Sequence, residues 1–118
     1  MSKIAEENFI QELLKEIPEF ESVHEKEYHK IGINLVFGDL KRLAEKTIQQ
    51  NDQKLLKRIA KFILRCNNEG DKDVQDAVFV SFFETMNEES IKAISKYLPE
   101  RLNEEIQEFL RKFDEVTS

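Results

Sequence analysis

Apolar positions recur every three or four residues over most of this chain, which is the spacing of helices with one buried face. One segment departs from that rule. Val74–Met86 reads V-Q-D-A-V-F-V-S-F-F-E-T-M, with apolar side chains around almost the whole circumference of the helix it would form. A helix that is hydrophobic nearly all round belongs in the middle of a protein. Its one polar opening is narrow and carries Asp73, Asp76 and Glu84, around Ala77 and Val80. The expected fold is therefore all-α. Five to six antiparallel helices surround a central buried helix over about residues 71–86, as a compact bundle or a short armadillo- or HEAT-like superhelix, in a single helical domain of residues 1–118.

The flanking helices follow from their stripes and their stops. Ser2 caps a first helix in which Ile4, Phe9, Leu13, Leu14 and Ile17 face inward, and Pro18 ends it. Residues 19–31 carry a weaker pattern, at most a short helix, and Gly32 breaks it. A second helix runs from about Asn34 to Gln50 with Leu35, Val36, Leu40, Leu43, Ala44 and Ile48 inward. Gly38 inside it predicts close packing against the central helix or a helix start nearby, with Asp39 capping Leu40 to Gln50. Asn51-Asp52 is a turn and cap. The third helix runs from about Gln53 to Asn67 with Leu55, Leu56, Ile59, Ala60, Phe62, Ile63 and Cys66 inward. Asn68-Glu69-Gly70-Asp71 is the clearest loop, where Gly70 can adopt positive φ and Asp71 can cap the central helix. Asn87 caps a short helix to Leu98, and Pro99 opens the last one, with Leu102, Ile106, Phe109, Leu110 and Phe113 inward. No internal repeat separates bundle from solenoid.

Composition narrows the class. An apolar share of 40% supports a folded core despite 36% charged residues, and 118 residues are enough to bury one. No apolar run approaches the roughly 20 residues that span a bilayer. The N-terminus, M-S-K-I-A-E-E-N-F-I, lacks the basic start and apolar core of a secretory signal. The single Cys66 has no partner for an internal disulfide, so a cytoplasmic location is expected.

Charge is laid out unevenly. Residues 28–66 carry nine Lys or Arg against three Asp or Glu, a local +6 in a chain of −6. Lys54, Arg58, Lys61 and Arg65 form one stripe on the third helix, flanked by Lys57. It is either a solvated face that pairs with neighbouring glutamates or a site for an anionic partner. The overall negative charge argues against nucleic acid. Acidic residues gather at the ends: Glu6, Glu7, Glu12, Glu16, Glu19, Glu21, Glu25 and Glu27, then Glu100, Glu104, Glu105, Glu108, Asp114 and Glu115. Were the two terminal helices to lie together, they would form an acidic surface attractive to a basic protein.

Candidate chemistry is sparse. The run His24-Glu25-Lys26-Glu27-Tyr28-His29 resembles the zinc-protease H-E-x-x-H, but its histidines stand at i and i+5, about 140° apart on a helix. Ser81 lacks the glycines of a nucleophile elbow and is expected to bond back to the preceding turn. Cys66 reads as a small core residue. No glycine-rich phosphate loop occurs. The expectation is a protein that is not an enzyme, with no catalytic, cofactor-binding or metal-binding residues and no cofactor.

Leu35-Val36-Phe37-Gly38-Asp39-Leu40 and Val78-Phe79-Val80-Ser81-Phe82-Phe83-Glu84, the latter followed by Leu98-Pro99, resemble in order and spacing the F-G-D-L and S-F-x-E segments of small all-helical bacterial immunity proteins. These belong to polymorphic-toxin and contact-dependent growth inhibition systems. The resemblance covers about residues 9–113 and implies a stoichiometric inhibitor that occludes a cognate toxin domain, expected to be a basic nuclease, by protein–protein interaction. The expected partner-binding residues are Glu104, Glu105, Glu108, Asp73, Asp76 and Glu84. A helical scaffold or adaptor for another protein, and a ligand-binding protein or enzyme using Asp39, Asp73, Asp76 and Glu84, stand beside this reading. No membrane partner is expected.

Overall fold

The computed structural model describes residues 4–22 and 32–117, so Ser2, His24 and His29 lie outside the described residues. Six α-helices follow in chain order: α1 (Phe9–Glu16), α2 (Ile33–Gln49), α3 (Gln53–Glu69), α4 (Lys72–Ala77), α5 (Glu88–Ser95) and α6 (Glu100–Thr117). Short 3-10 turns span Glu6–Asn8 and Pro18–Ser22, and no strand occurs among the described residues. The bundle alternative is the one adopted. The radius of gyration is 13.6 Å, the size of a compact domain of this length (about 13.5 Å).

The helices begin where short polar side chains can satisfy free backbone N–H groups. Asp52 accepts from Leu55 N at the start of α3, Asp71 from Val74 N at the start of α4, and Asn87 from Ser90 N at the start of α5. All seven residues expected inward on α3 are buried, and α3 packs against α1, α2, α4 and α5. The aromatic centre is continuous. Phe9 stacks on Phe37 at 4.7 Å between ring centroids and meets Phe62 at 5.7 Å.

The central segment is not one regular α-helix. α4 ends at Ala77 and a π-helix takes over at Val78–Phe83, closed by Glu84 N donating to Phe79 O across five residues. The wider turn changes which side chains point inward. Consecutive α-helical residues diverge by about 100°, yet Phe82 and Phe83 are both fully buried, with rings perpendicular at 4.9 Å. Val78 and Ala77 are buried as well, whereas Val80 is 49% exposed. The polar opening expected around Ala77 and Val80 therefore lies at Val80 alone.

Other expectations are corrected by neighbours distant in sequence. Ile4 does not belong to a first helix. Its N–H donates to Glu69 O at 3.1 Å, and its carbonyl accepts from Asp71 N at 2.9 Å, a single parallel β-bridge that sinks its side chain fully into the core. Gly70 has φ −74°, so positive φ is not its role. A Cβ there would stand 2.4 Å from the Cys66 carbonyl oxygen. Leu35, expected inward, is 56% exposed, and the buried position at that end of α2 is Ile33. Gly38 does not touch the central helix: a Cβ there would meet nothing within 4 Å. Nor does a helix start at Asp39, because α2 begins at Ile33 after Gly32 with φ +102°. On α6, Leu102 and Ile106 are buried and Leu110 packs against the core, while the side chain of Phe113 lies outside those described.

The stripe on α3 divides between two uses. Arg58 makes a two-pronged pair with Glu19 at 2.7 and 2.8 Å and reaches Glu16 O at 3.0 Å. Arg65 meets Glu69 at 2.7 Å, Glu12 at 3.3 Å and Glu16 at 3.4 Å. These arginines staple α1 and the following 3-10 turn onto α3, and they neutralise N-terminal glutamates that were expected to join an acidic face with α6. The hydrogen bond from Arg58 holds the Glu19 carboxyl below its ordinary 4.5. A lowered carboxylate pKa contributes stability that is present above the unfolded value and is lost as pH falls through the folded one. Glu19→Gln is therefore expected to lose this small contribution in full at pH 7 and to converge with the parent as pH falls below about 4.5, which flattens the acid limb of its stability-versus-pH curve. Both side chains are about two-fifths exposed, so screening keeps the contribution under about 1 kcal/mol. A mutant curve parallel to the parent's through pH 3 to 5 would exclude the pairing.

Candidate functional site

No three His, Cys, Asp or Glu side chains among the described residues are grouped so as to hold a metal ion. Cys66 is fully enclosed, and burial pushes its thiol up, away from the reactive thiolate form. Ser81 does not bond to its own preceding turn. Its hydroxyl donates to Asn34 Oδ1 at 2.7 Å, across to α2. The features that remain to be explained are surfaces.

α2 and the π-helix pack more extensively against each other than any other pair of elements. Three side-chain bonds join α2 to the π-helix and the turn that follows it, in ascending order on both sides: Ser81 to Asn34, Lys41 Nζ to Thr85 Oγ1 at 2.9 Å, and Asn87 Nδ2 to Glu45 Oε2 at 3.3 Å. The two segments thus run parallel. At the upstream end of the seam a cleft of about 410 Å³ is lined by Ile33, Asn34, Asp73, Asp76 and Val80. Among the described residues its ionisable lining groups are the two carboxylates, both exposed and without an ion-pair partner there. Val80 at 49% and Leu35 at 56% are the exposed large hydrophobics of the described chain. One lines this cleft and the other adjoins Asn34 in its wall. Asp39 stands apart, paired with Arg42. Glu84 is half-buried just after the π-helix and is not among the residues that line the cleft.

The expected acidic residues of α6 sit elsewhere. A second groove, of about 530 Å³, runs between α6 and the α3–α4 corner, lined by Asn67, Asn68, Gln75, Leu102, Arg101 and Glu105 among others. Gln75 faces it while Asp76, its neighbour, faces the first cleft, so α4 separates the two. Glu105 lies 3.6 Å from Arg101, Glu108 lies 3.3 Å from Lys112, and Glu104 is exposed. Of the six residues expected to bind a partner, Asp73 and Asp76 are brought together with apolar surface. Glu105 lines a groove of mixed charge. Sequence reasoning missed Ile33, Asn34, Leu35 and Val80. Val80 carried the one available signal, an apolar residue inside the polar opening.

Lys54, Lys57 and Lys61 remain exposed on α3 with no ion pair among the described residues. A small pocket of about 120 Å³ lies where the α2–α3 turn, with Asn51 at φ +57°, meets Tyr97 of the segment after α5. No helix among the described residues is long and apolar enough to cross a membrane. The chain belongs to the family described as Domain of unknown function (DUF7674), which matches residues 10–113. Neither the curated proteins nor the solved structures give a match to the chain.

Proposed function

We propose that this is a non-enzymatic helical protein that docks a basic protein partner on its α2/π-helix face and occludes it, and that in the cell it serves as a cytoplasmic immunity protein against a cognate toxin. The observation that carries the reading is the cleft at Asp73 and Asp76: its ionisable lining among the described residues is acidic, and large apolar residues stand exposed in and beside it. Apolar contact surrounded by charge is the composition of a docking surface, where burial holds the complex and charge speeds encounter. The resemblance to immunity proteins lends support, because its two stretches, residues 35–40 and 78–84, lie on the two segments that meet at this seam.

The test is protection. The product of the neighbouring reading frame is expressed with and without this chain, and association is followed as salt is raised. Association is expected to slow steeply between about 50 and 500 mM salt, because screening shortens the reach of the carboxylates. Asp73→Lys with Asp76→Lys is expected to weaken binding at least about tenfold, roughly 1.4 kcal/mol, and to reduce protection with the fold intact. Glu104→Lys, Glu105→Lys and Glu108→Lys together are the comparison. If this triple reversal abolishes protection and the α4 pair does not, α6 is the contact face. A partner that binds without toxicity favours the adaptor reading. Failure to bind and to protect sinks occlusion altogether.

A further inference from the structure

Gly38 is a glycine that this fold does not require. It is the sixth residue of α2, well inside the helix, and its φ is not positive. Among the described residues, a Cβ at that position would meet nothing within 4 Å. Neither backbone conformation nor packing among the described residues therefore accounts for a residue that weakens a helix relative to alanine. Its surroundings supply a reason outside the chain. Gly38 lies one turn after Asn34 and one turn before Lys41, the residues that reach across the seam to Ser81 and Thr85. Leu35 precedes it by three residues and lies on a neighbouring stripe. The seam thus presents a bare backbone position between two cross-helix hydrogen bonds, with exposed apolar side chains, Leu35 and Val80, at its acidic end.

We infer that Gly38 is where a helix of the partner makes its closest approach, a basic amphipathic helix lying along the α2/π-helix seam with its apolar side on Leu35 and Val80 and its lysines or arginines toward Asp73 and Asp76. This rests on the docking reading proposed above. The physical grounds are three. A missing side chain lets two helix backbones come closer than the usual 8–10 Å. The furrow between two parallel helical segments suits a rod, and a helix lays an apolar stripe into such a furrow through residues at i, i+3, i+4 and i+7. The carboxylates that line the cleft have no counter-charge among the described residues, so cations on the incoming helix would be matched there.

The experiment uses the whole chain, isotope-labelled, and a synthetic helix of about 14 residues with leucines at i, i+3, i+4 and i+7 and lysines elsewhere. A scrambled peptide of the same composition is the control. The ordered peptide is expected to shift the amide signals of Leu35, Gly38, Asp76 and Val80 and to bind at least about tenfold tighter than the scrambled one. Gly38→Ala is expected to raise Tm by about 4 °C while weakening the peptide. Gly38→Leu is expected to weaken it by at least about tenfold through overpacking at the contact, with an otherwise native spectrum. Stability and affinity moving in opposite directions at one residue is the signature. Equal binding of the scrambled peptide, signal shifts confined to α6 or α3, or unchanged affinity in Gly38→Leu would each overturn the inference. So would a fall in Tm for Gly38→Ala, which would make the glycine a requirement of the fold. If the α4 reversal still blocks the natural partner while Gly38→Leu does not, docking stands and the helix contact at Gly38 fails.

Discussion

Phe82→Ala is expected to destabilise the fold by about 3–5 kcal/mol, as much as a third or more of the stability of an ordinary domain. Phe82 has no exposed surface and stands edge-on to Phe83, inside a π-helical turn that α2, α3, α4 and α6 all contact. Those neighbours are tied by their own hydrogen bonds. They cannot slide into the space left by the ring, and the unrelaxed cavity sets the upper end of the range. Val80→Ala, two residues earlier in the same segment, is the internal control. Its side chain is 49% exposed, so its loss should stay near 0.5 kcal/mol or below, as for an ordinary surface site. Urea titrations of the two variants measure both. A cost under about 1 kcal/mol for Phe82→Ala would mean that the π-helix is not the packing centre.

The contrast between Val80 and Phe82 marks what periodicity can read. α3 was legible up to its last two residues, Asn68 and Glu69, which were expected in the loop, because its apolar stripe, its Asp52 cap and its polar outer face are all local and all agree. The caps at Asp71 and Asn87 were legible for the same reason. The π-helix was not. Shifting a backbone hydrogen bond by one residue leaves no mark in a segment that is apolar all round, since every register buries something. Leu35 obeyed the three-and-four rule and is still exposed, because the stripe that α2 buries runs through Ile33, Val36, Phe37 and Leu40. The partners of Arg58 and Arg65 lie up to 53 residues away, beyond any local pattern. The candidate cleft was half legible. Asp73 and Asp76 stood out as a polar opening in an apolar helix, whereas Asn34, Leu35 and the vacancy at Gly38 depend on which helix lies alongside.

Gly70→Ala is expected to be the most damaging of the conservative substitutions, at about 3 kcal/mol or more and a fall in Tm of about 10 °C. The added methyl would lie 2.4 Å from the carbonyl oxygen of Cys66 and 2.5 Å from Cγ1 of Val74. Neither neighbour can yield cheaply. The Cys66 carbonyl accepts the Gly70 N–H at 2.9 Å and closes the end of α3, and Val74 is fully buried in the first turn of α4. Relief therefore requires the α3–α4 corner to open. That corner is the template for Ile4, whose backbone is held by Glu69 O on one side and Asp71 N–H on the other. Opening it releases a fully buried isoleucine, a side chain whose removal by itself costs about 2–5 kcal/mol. The two effects should not add. In the Gly70→Ala background Ile4→Ala is expected to cost much less than in the parent, because the clamp it would vacate is already broken. Loss of hydrogen-exchange protection at the Asp71 amide, which Ile4 O shields, should accompany the drop in Tm. Strict additivity of the two substitutions, with Asp71 still protected, would place the strain within the corner itself and leave the N-terminal strap in its seat.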